Sequence, residues 1–347
     1  MFKNYFKIAI RNLFKNKVLS FINIMGLALG IAGAALLLLN MRFELSIDEF
    51  HVKKDRIYKA YNKAVMNGNI LCWDATAPPL GPALKNDYPE IKQVARVAGA
   101  GKLLAYGDKM IQSDGNYTDA AFLDMFSFPL IKGNAQTALN DIHAIVITET
   151  LAKKLFGDSD PMNKIIRADN ADNYTVTGVL KDLPGNTKFR FEYLLHWRNT
   201  TNIDDNEAWK SQNSNTYAEL QPSAGIAALN DKIAGVISRH SLNEQKAKVF
   251  LYPLTQLNLY SNFENGKPAG GNINELRMMG LLAGIILLIA AINFMNLSTA
   301  RSEKRGKEVG IRKVMGAAKK SLVGQFIGES VIMALIAGII ALVIIQL

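Results

Sequence analysis

The chain has little with which to do chemistry on its own. It has one cysteine, Cys72, and four histidines, His51, His143, His196 and His240, far apart in sequence. A lone thiol excludes an internal disulfide framework, and histidines so spaced make no local metal motif. No G-x-x-x-x-G-K-[ST] run is present to cradle phosphates, and neither H-E-x-x-H nor G-x-S-x-G occurs. The acidic pairs Asp204-Asp205 and Asp158/Asp160 sit among Asn, Ser and Gly or before Pro, as surface turns do. The chain is therefore expected to be non-catalytic, with no metal and no cofactor of its own.

Charge is missing from long stretches as well. Val18 to Met41 and Met278 to Ala300 carry none, and Ser321 to Leu347 carries only Glu329. A hydrocarbon core takes roughly 20 apolar residues, so each run is predicted to be a transmembrane helix. The first is too long for a signal-peptide core of about 7–15 residues. What charge there is sits in a telling place. The chain has 40 Lys+Arg against 30 Asp+Glu, and the excess lies in residues 1–17 and 301–320, beside the apolar runs. The region between the first two runs is balanced, which argues for a membrane and against nucleic acid. Basic flanks stay inside, so residues 42–277 are predicted to lie outside and 301–320 inside.

Residues 1–17 read as an amphipathic elbow helix on the inner leaflet, with Phe2, Tyr5, Phe6, Ala9, Ile10 and Leu13 toward lipid and Lys3, Lys7, Arg11 and Lys15 opposite. Each span has glycines four apart, Gly26/Gly30, Gly280/Gly284 and Gly324/Gly328, a spacing that lets helix backbones approach and predicts a packed bundle. Glu329, near the start of the third span, is expected to pack against Asn293, Asn296 or Gln325.

The outer region mixes strand-like and helix-like pieces. AIVIT (Ala144 to Thr148) reads as a buried strand, followed by a helix capped by Thr148 and stopped at Gly157. Tyr174 to Leu180 and Phe189 to Leu195 read as strands, Ser223 to Arg239 as helix and Lys248 to Leu254 as extended. The expected fold is an α-helical bundle of three spans plus a large extracytoplasmic α+β domain of two lobes, joined at the polar stretch Thr200 to Asn215.

The inner loop carries more than topogenic charge. Ile311, Val314 and Met315 fall on one helical stripe, and Glu308 and Arg312 form an i, i+4 pair with the acid first. Gly306, Gly310 and Gly316 each weaken a helix by about 1 kcal/mol, so a docking partner is expected to order it.

At this point the residues resemble a known family. KEVGIRKVMGA and QFIGES, with DEFHVKKDRIYKAY, PPLGPALKNDYPEI, MFSFPLIKGNAQTAL, IVITETLAKKLFGDSDPMNK and YTVTGVLKDLPGNTKFRF, are similar to the FtsX/MacB-like permease family of ABC transporters. Glu308, Gly310, Arg312, Gly316 and Ala317 carry the family's E-x-G-x-R-x-x-x-G-A coupling-helix match, and Gln325, Phe326 and Glu329 match the start of the next span. The resemblance implies a non-catalytic subunit of the bacterial inner membrane with a MacB-like core domain on the periplasmic side. It also implies a separate cytoplasmic ATPase that binds ATP and Mg, a second permease unit as a homodimer or duplicated half, a periplasmic adaptor, and membrane lipid around the spans. The family has a fourth span where this chain stops at Leu347, so the sequence reads as a fragment or truncated frame. The implied action is ATP-driven movement of the outer domain that extrudes a peptide, drug or lipoprotein. The competing readings are a membrane-anchored ligand-binding sensor and an outer-surface enzyme.

Overall fold

The computed structural model describes residues 17–200, 209–240, 247–304, 306, 310–311, 314–315 and 319–346. Of the elbow predicted over residues 1–17, residues 1–16 lie outside the described residues, and Lys17 is the first residue of the first long helix. The chain divides into two compact units, Glu44–Ile273 and the membrane segments on either side of it.

The membrane unit contains three long helices, α1 (Lys17–Leu45), α7 (Asn272–Lys304) and α8 (Lys319–Gln346). All three are long and apolar enough to cross a membrane. At about 1.5 Å per residue, α1 and α7 are longer than a core of roughly 30 Å requires, so each continues beyond its uncharged run.

In the outer unit the helices are α2 (Leu80–Asp87), α3 (Phe122–Met125), α4 (Glu149–Phe156), α5 (Ile226–Ile233) and α6 (Val236–His240). Its strands are β1 (Ile57–Met66), β2 (Asn69–Trp73), β3 (Ile91–Tyr106), β4 (Lys109–Thr118), β5 (Leu130–Lys132), β6 (Ala144–Thr148) and β7 (Ile165–Ala168). They continue with β8 (Asp172–Leu180), β9 (Tyr193–His196), β10 (Asn215–Leu220), β11 (Lys248–Pro253), β12 (Asn262–Glu264) and β13 (Lys267–Gly270). One mixed sheet runs β11-β1-β10-β3-β4-β9-β6-β8-β5, with β2 on β1 and β7 on β3 and β8. The β4/β9 and β6/β8 pairs are parallel and the others antiparallel.

The two expected lobes share this sheet. One end packs β1, β10 and β11 against α2, α5 and α6 through Leu80, Leu84, Ile233 and Leu251. The other packs β6, β8 and β9 against α4 through Ile145, Ile147, Leu155 and Val176. Between them lies an aromatic centre of Phe122, Phe126, Phe128, Phe189, Phe191 and Tyr217. The join expected over Thr200 to Asn215 is corrected here. Trp209 is buried in the first core, and Asn215 opens β10, a strand inside the sheet. Residues 201–208 lie outside the described residues.

Local sequence explains most of the rest. Every residue of β6 is buried, as its unbroken apolar run demands. Thr148 caps α4 by accepting from Leu151 N, and Gly157 ends it at φ 64°, where a side chain would be strained. The alternation that predicts a strand from Phe189 is only partly realised. β9 starts at Tyr193, because Phe189 and Phe191 turn their rings into the aromatic centre, Phe189 at 4.7 Å between centroids from Phe126. The helix predicted over Ser223 to Arg239 breaks between α5 and α6, where the Ala234 carbonyl accepts from Val249 N of β11.

The two ends of the outer unit are tied to each other. Asn258 Nδ2 donates to the Glu44 carbonyl at 2.7 Å and to Glu44 Oε2 at 3.2 Å, and Asn272 Nδ2 donates to the same Oε2 at 2.6 Å. Four residues on, the Asp48 carboxylate accepts from Lys188 N at 3.2 Å and from the Thr187 hydroxyl, and Asn186 Nδ2 donates to the Ser46 carbonyl at 3.0 Å.

Candidate functional site

The inner loop offers an uncovered apolar surface. Ile311, Val314 and Met315 are 63%, 89% and 77% exposed, and with Gly310 they line an open hollow of about 500 Å³. Met315 N donates to Ile311 O at 3.0 Å, one α-type turn that sets these side chains on one side. Glu308, Arg312 and Gly316, the rest of the predicted coupling set, lie outside the described residues, as does Ala317. Three large apolar side chains held toward water form a contact surface for a protein or for lipid.

The glycine pairs behave differently from span to span. A Cβ on Gly30 would stand 2.3 Å from Ala290 Cβ, one on Gly26 3.4 Å from Asn293 Nδ2, and one on Gly280 3.8 Å from Met41 Sδ. These contacts run in opposite senses along α1 and α7, so the two helices pack antiparallel with their backbones closest at Gly30. At Gly284, Gly324 and Gly328 an added Cβ would meet nothing within 4 Å among the described residues. The third helix instead buries Glu329, Met333, Ala337 and Ala341.

Polar groups also line the bundle. Asn23 Nδ2 donates to Ser298 Oγ at 3.2 Å, and Asn40 Nδ2 to Met279 Sδ at 3.4 Å. The sequence marks Glu329 by its charge but gives no signal for Asn23 and Ser298. A serine or asparagine in a span is common enough to carry no signal alone, and only the structure brings them together.

In the outer unit, charged groups are arranged as structural networks. Glu219 is fully buried, with Lys92 Nζ at 3.1 Å, Lys53 Nζ at 3.4 Å and Arg56 Nη2 at 3.6 Å. Lys53 also donates to Asp124 at 2.8 Å, and this bond, helped by one from Gln93, holds the Asp124 carboxyl below the usual aspartate range. Desolvation is the largest influence on Glu192 and pushes its pKa up, yet hydrogen bonds from Lys154 and Ser113 carry it below the ordinary value. Burial raises the phenol of Tyr174 to about 12. Among the described residues, no three His, Cys, Asp or Glu side chains gather as a metal site would.

Taken together, the fold defines a membrane protein whose large mixed-sheet domain is inserted between two membrane helices. The MacB-like periplasmic core domain matches residues 20–236 and the FtsX-like permease C-terminal region matches residues 280–347. The chain belongs to this FtsX/MacB-like permease family. It is 24% identical over 258 residues to the ABC transporter permease YknZ of Bacillus subtilis (strain 168), covering 73% of this chain and 61% of YknZ. It is also 24% identical over 274 residues to the pyoverdine export ATP-binding/permease protein PvdT of Pseudomonas syringae pv. syringae (strain B728a), covering 76% of this chain and 39% of PvdT. The chain thus spans less than two thirds of either relative. A solved domain of a Porphyromonas gingivalis protein described as a permease shares the fold, with a TM-score of 0.50 and 21% identity over 66% of this chain and 98% of that domain.

Proposed function

We propose that this chain is the permease part of an ABC transporter, coupling ATP hydrolysis by a cytoplasmic ATPase to movement of its outer domain. One observation carries the reading: Ile311, Val314 and Met315 are held exposed in the short loop between two membrane helices. An ATPase seated on that stripe would bury it. ATP and Mg belong to that partner. A second permease unit and a periplasmic adaptor complete the proposed assembly, in a bacterial inner membrane. PvdT is named for pyoverdine export, and by analogy the cargo here is a molecule extruded on the outer side, of peptide, drug or lipoprotein class.

Met315→Asp tests it in the full chain. A carboxylate placed in an apolar contact costs several kcal/mol while it stays charged and unpaired. The variant should reach the membrane at normal levels but lose co-purification of the ATPase. Retained association with unchanged ATP-dependent activity would reduce the loop to a topogenic element.

A further inference from the structure

Within the membrane unit, α7 and α8 line an open cavity of about 440 Å³. Phe294, Met295, Phe326 and Met333 make its apolar wall, and Ser298, Thr299, Ser330 and Glu329 its polar one. Glu329 is 4% exposed. Ser298 also accepts from Asn23 Nδ2 of α1, whose Oδ1 has no hydrogen-bond partner among the described residues. Ser20 Oγ, one turn earlier, is likewise buried and has no hydrogen-bond partner among the described residues. Neither of these two groups is part of the cavity lining, whose own acceptors are the Glu329 carboxylate and the Ser298, Thr299 and Ser330 hydroxyls.

We propose that this cavity binds an amphiphile with an ammonium head, its charge at Glu329 and its chain along Phe294, Phe326 and Met333. An ammonium has only donors, and the wall offers a carboxylate and hydroxyl oxygens. A carboxylate accepts about four hydrogen bonds, so a contact made by Glu329 within the bundle leaves room for the head. The same carboxylate repels a phosphate or sulfate head. Depth agrees. Glu329 lies about 15 Å along α8 from its start, at roughly 1.5 Å per residue, and Ser298 is near the end of its uncharged run. That level suits a head drawn just inside the headgroup layer with its chain in the acyl region. A membrane lipid with a primary-amine headgroup and a free cationic amphiphile share this chemistry. The proposal does not depend on the coupling reading, since it concerns the bundle and not the loop.

The test uses the full chain in phosphatidylcholine vesicles with a photoreactive long-chain primary alkylamine, and a sulfate-headed probe of the same chain for comparison. The amine should label peptides containing residues 294–299 and 326–333, and the sulfate should not. Glu329→Gln should cut labelling by about tenfold or more, the value of a lost charged hydrogen-bonded pair. Phe326→Ala keeps the carboxylate and should reduce labelling several-fold, roughly as loss of an apolar contact implies. That variant and the amine-against-sulfate preference of the unaltered chain keep the test decisive even where Glu329→Gln fails to fold. Competition by phosphatidylethanolamine would identify the lipid as the source, and competition by dodecylamine alone the free amphiphile. Equal labelling by both probes, wild-type labelling of both variants, no competition by either amine, or no labelling because protein fills the cavity would each overturn the proposal.

Discussion

The outer unit and the membrane unit differ in where their large side chains go. In the outer unit the largest fully buried side chains are rings: Phe122, Phe126, Tyr174 and Tyr193. Among the described residues of the membrane unit the buried positions are mostly small or polar, among them Ala28, Ala32, Ala34, Ser20 and Asn23, while Phe21, Leu29, Ile289 and Leu335 are 57–64% exposed. The same side chain thus has different worth in the two places. Water drives the large ones inward, whereas lipid is as apolar as leucine and leaves close packing of small residues to hold helices together.

One substitution in each unit should show the largest contrast. Phe126→Ala removes a ring at the centre of the aromatic cluster and should destabilise the outer unit by about 3–5 kcal/mol. Leu29→Ala, on an exposed position of α1, should leave stability nearly unchanged. Denaturant unfolding of the full chain reads both, because Trp73, Trp197 and Trp209 all lie in the outer unit and helix content follows the spans. Similar losses from the two variants would show that the units do not differ as argued.

A smaller effect is expected at the α4 cap. Thr148→Ala removes the acceptor for Leu151 N and should cost about 1 kcal/mol. A midpoint unchanged within error would mean that the helix end is satisfied some other way.

The smallest effect concerns pH. Asp124 has its folded pKa depressed by its bonds from Lys53 and Gln93, so its contribution is present above the unfolded aspartate value, about 3.9, and lost as pH falls through the folded one. The window is therefore below about pH 4. The side chain is 41% exposed, and solvent screening keeps the contribution small. Asp124→Asn should flatten the acid limb of the stability curve there. Identical limbs for the two proteins would remove Asp124 from the account.

How much could be read beforehand varies with the range of the interactions involved. Spans, charge flanks, β6 and the α4 cap follow from local patterns, since hydropathy, a cap residue and a positive-φ glycine act within a few positions. The family was legible too, from motifs spread along the chain. The shortened β9 was not legible, because Phe189 and Phe191 leave the strand for partners at Phe122, Phe126 and Tyr217 that only the fold supplies. Nor was the continuity of the sheet through β10, which pairs with strands more than a hundred residues earlier. At the site, the apolar stripe of the loop was visible by periodicity. The Asn23–Ser298 contact was not, since it joins residues 275 positions apart.

The ties at Glu44 have a consequence for engineering. A single carboxylate gathers amides from Asn258 and Asn272, so the segment from Glu44 to Ile273 enters and leaves through one hydrogen-bonded gate. A domain closed at its base in this way is a cassette: its ends are close enough for it to be lifted out, grafted into another host or exchanged for a relative's. The graft points would lie at the outer ends of α1 and α7, with Glu44, Asn258 and Asn272 travelling together as the fastening.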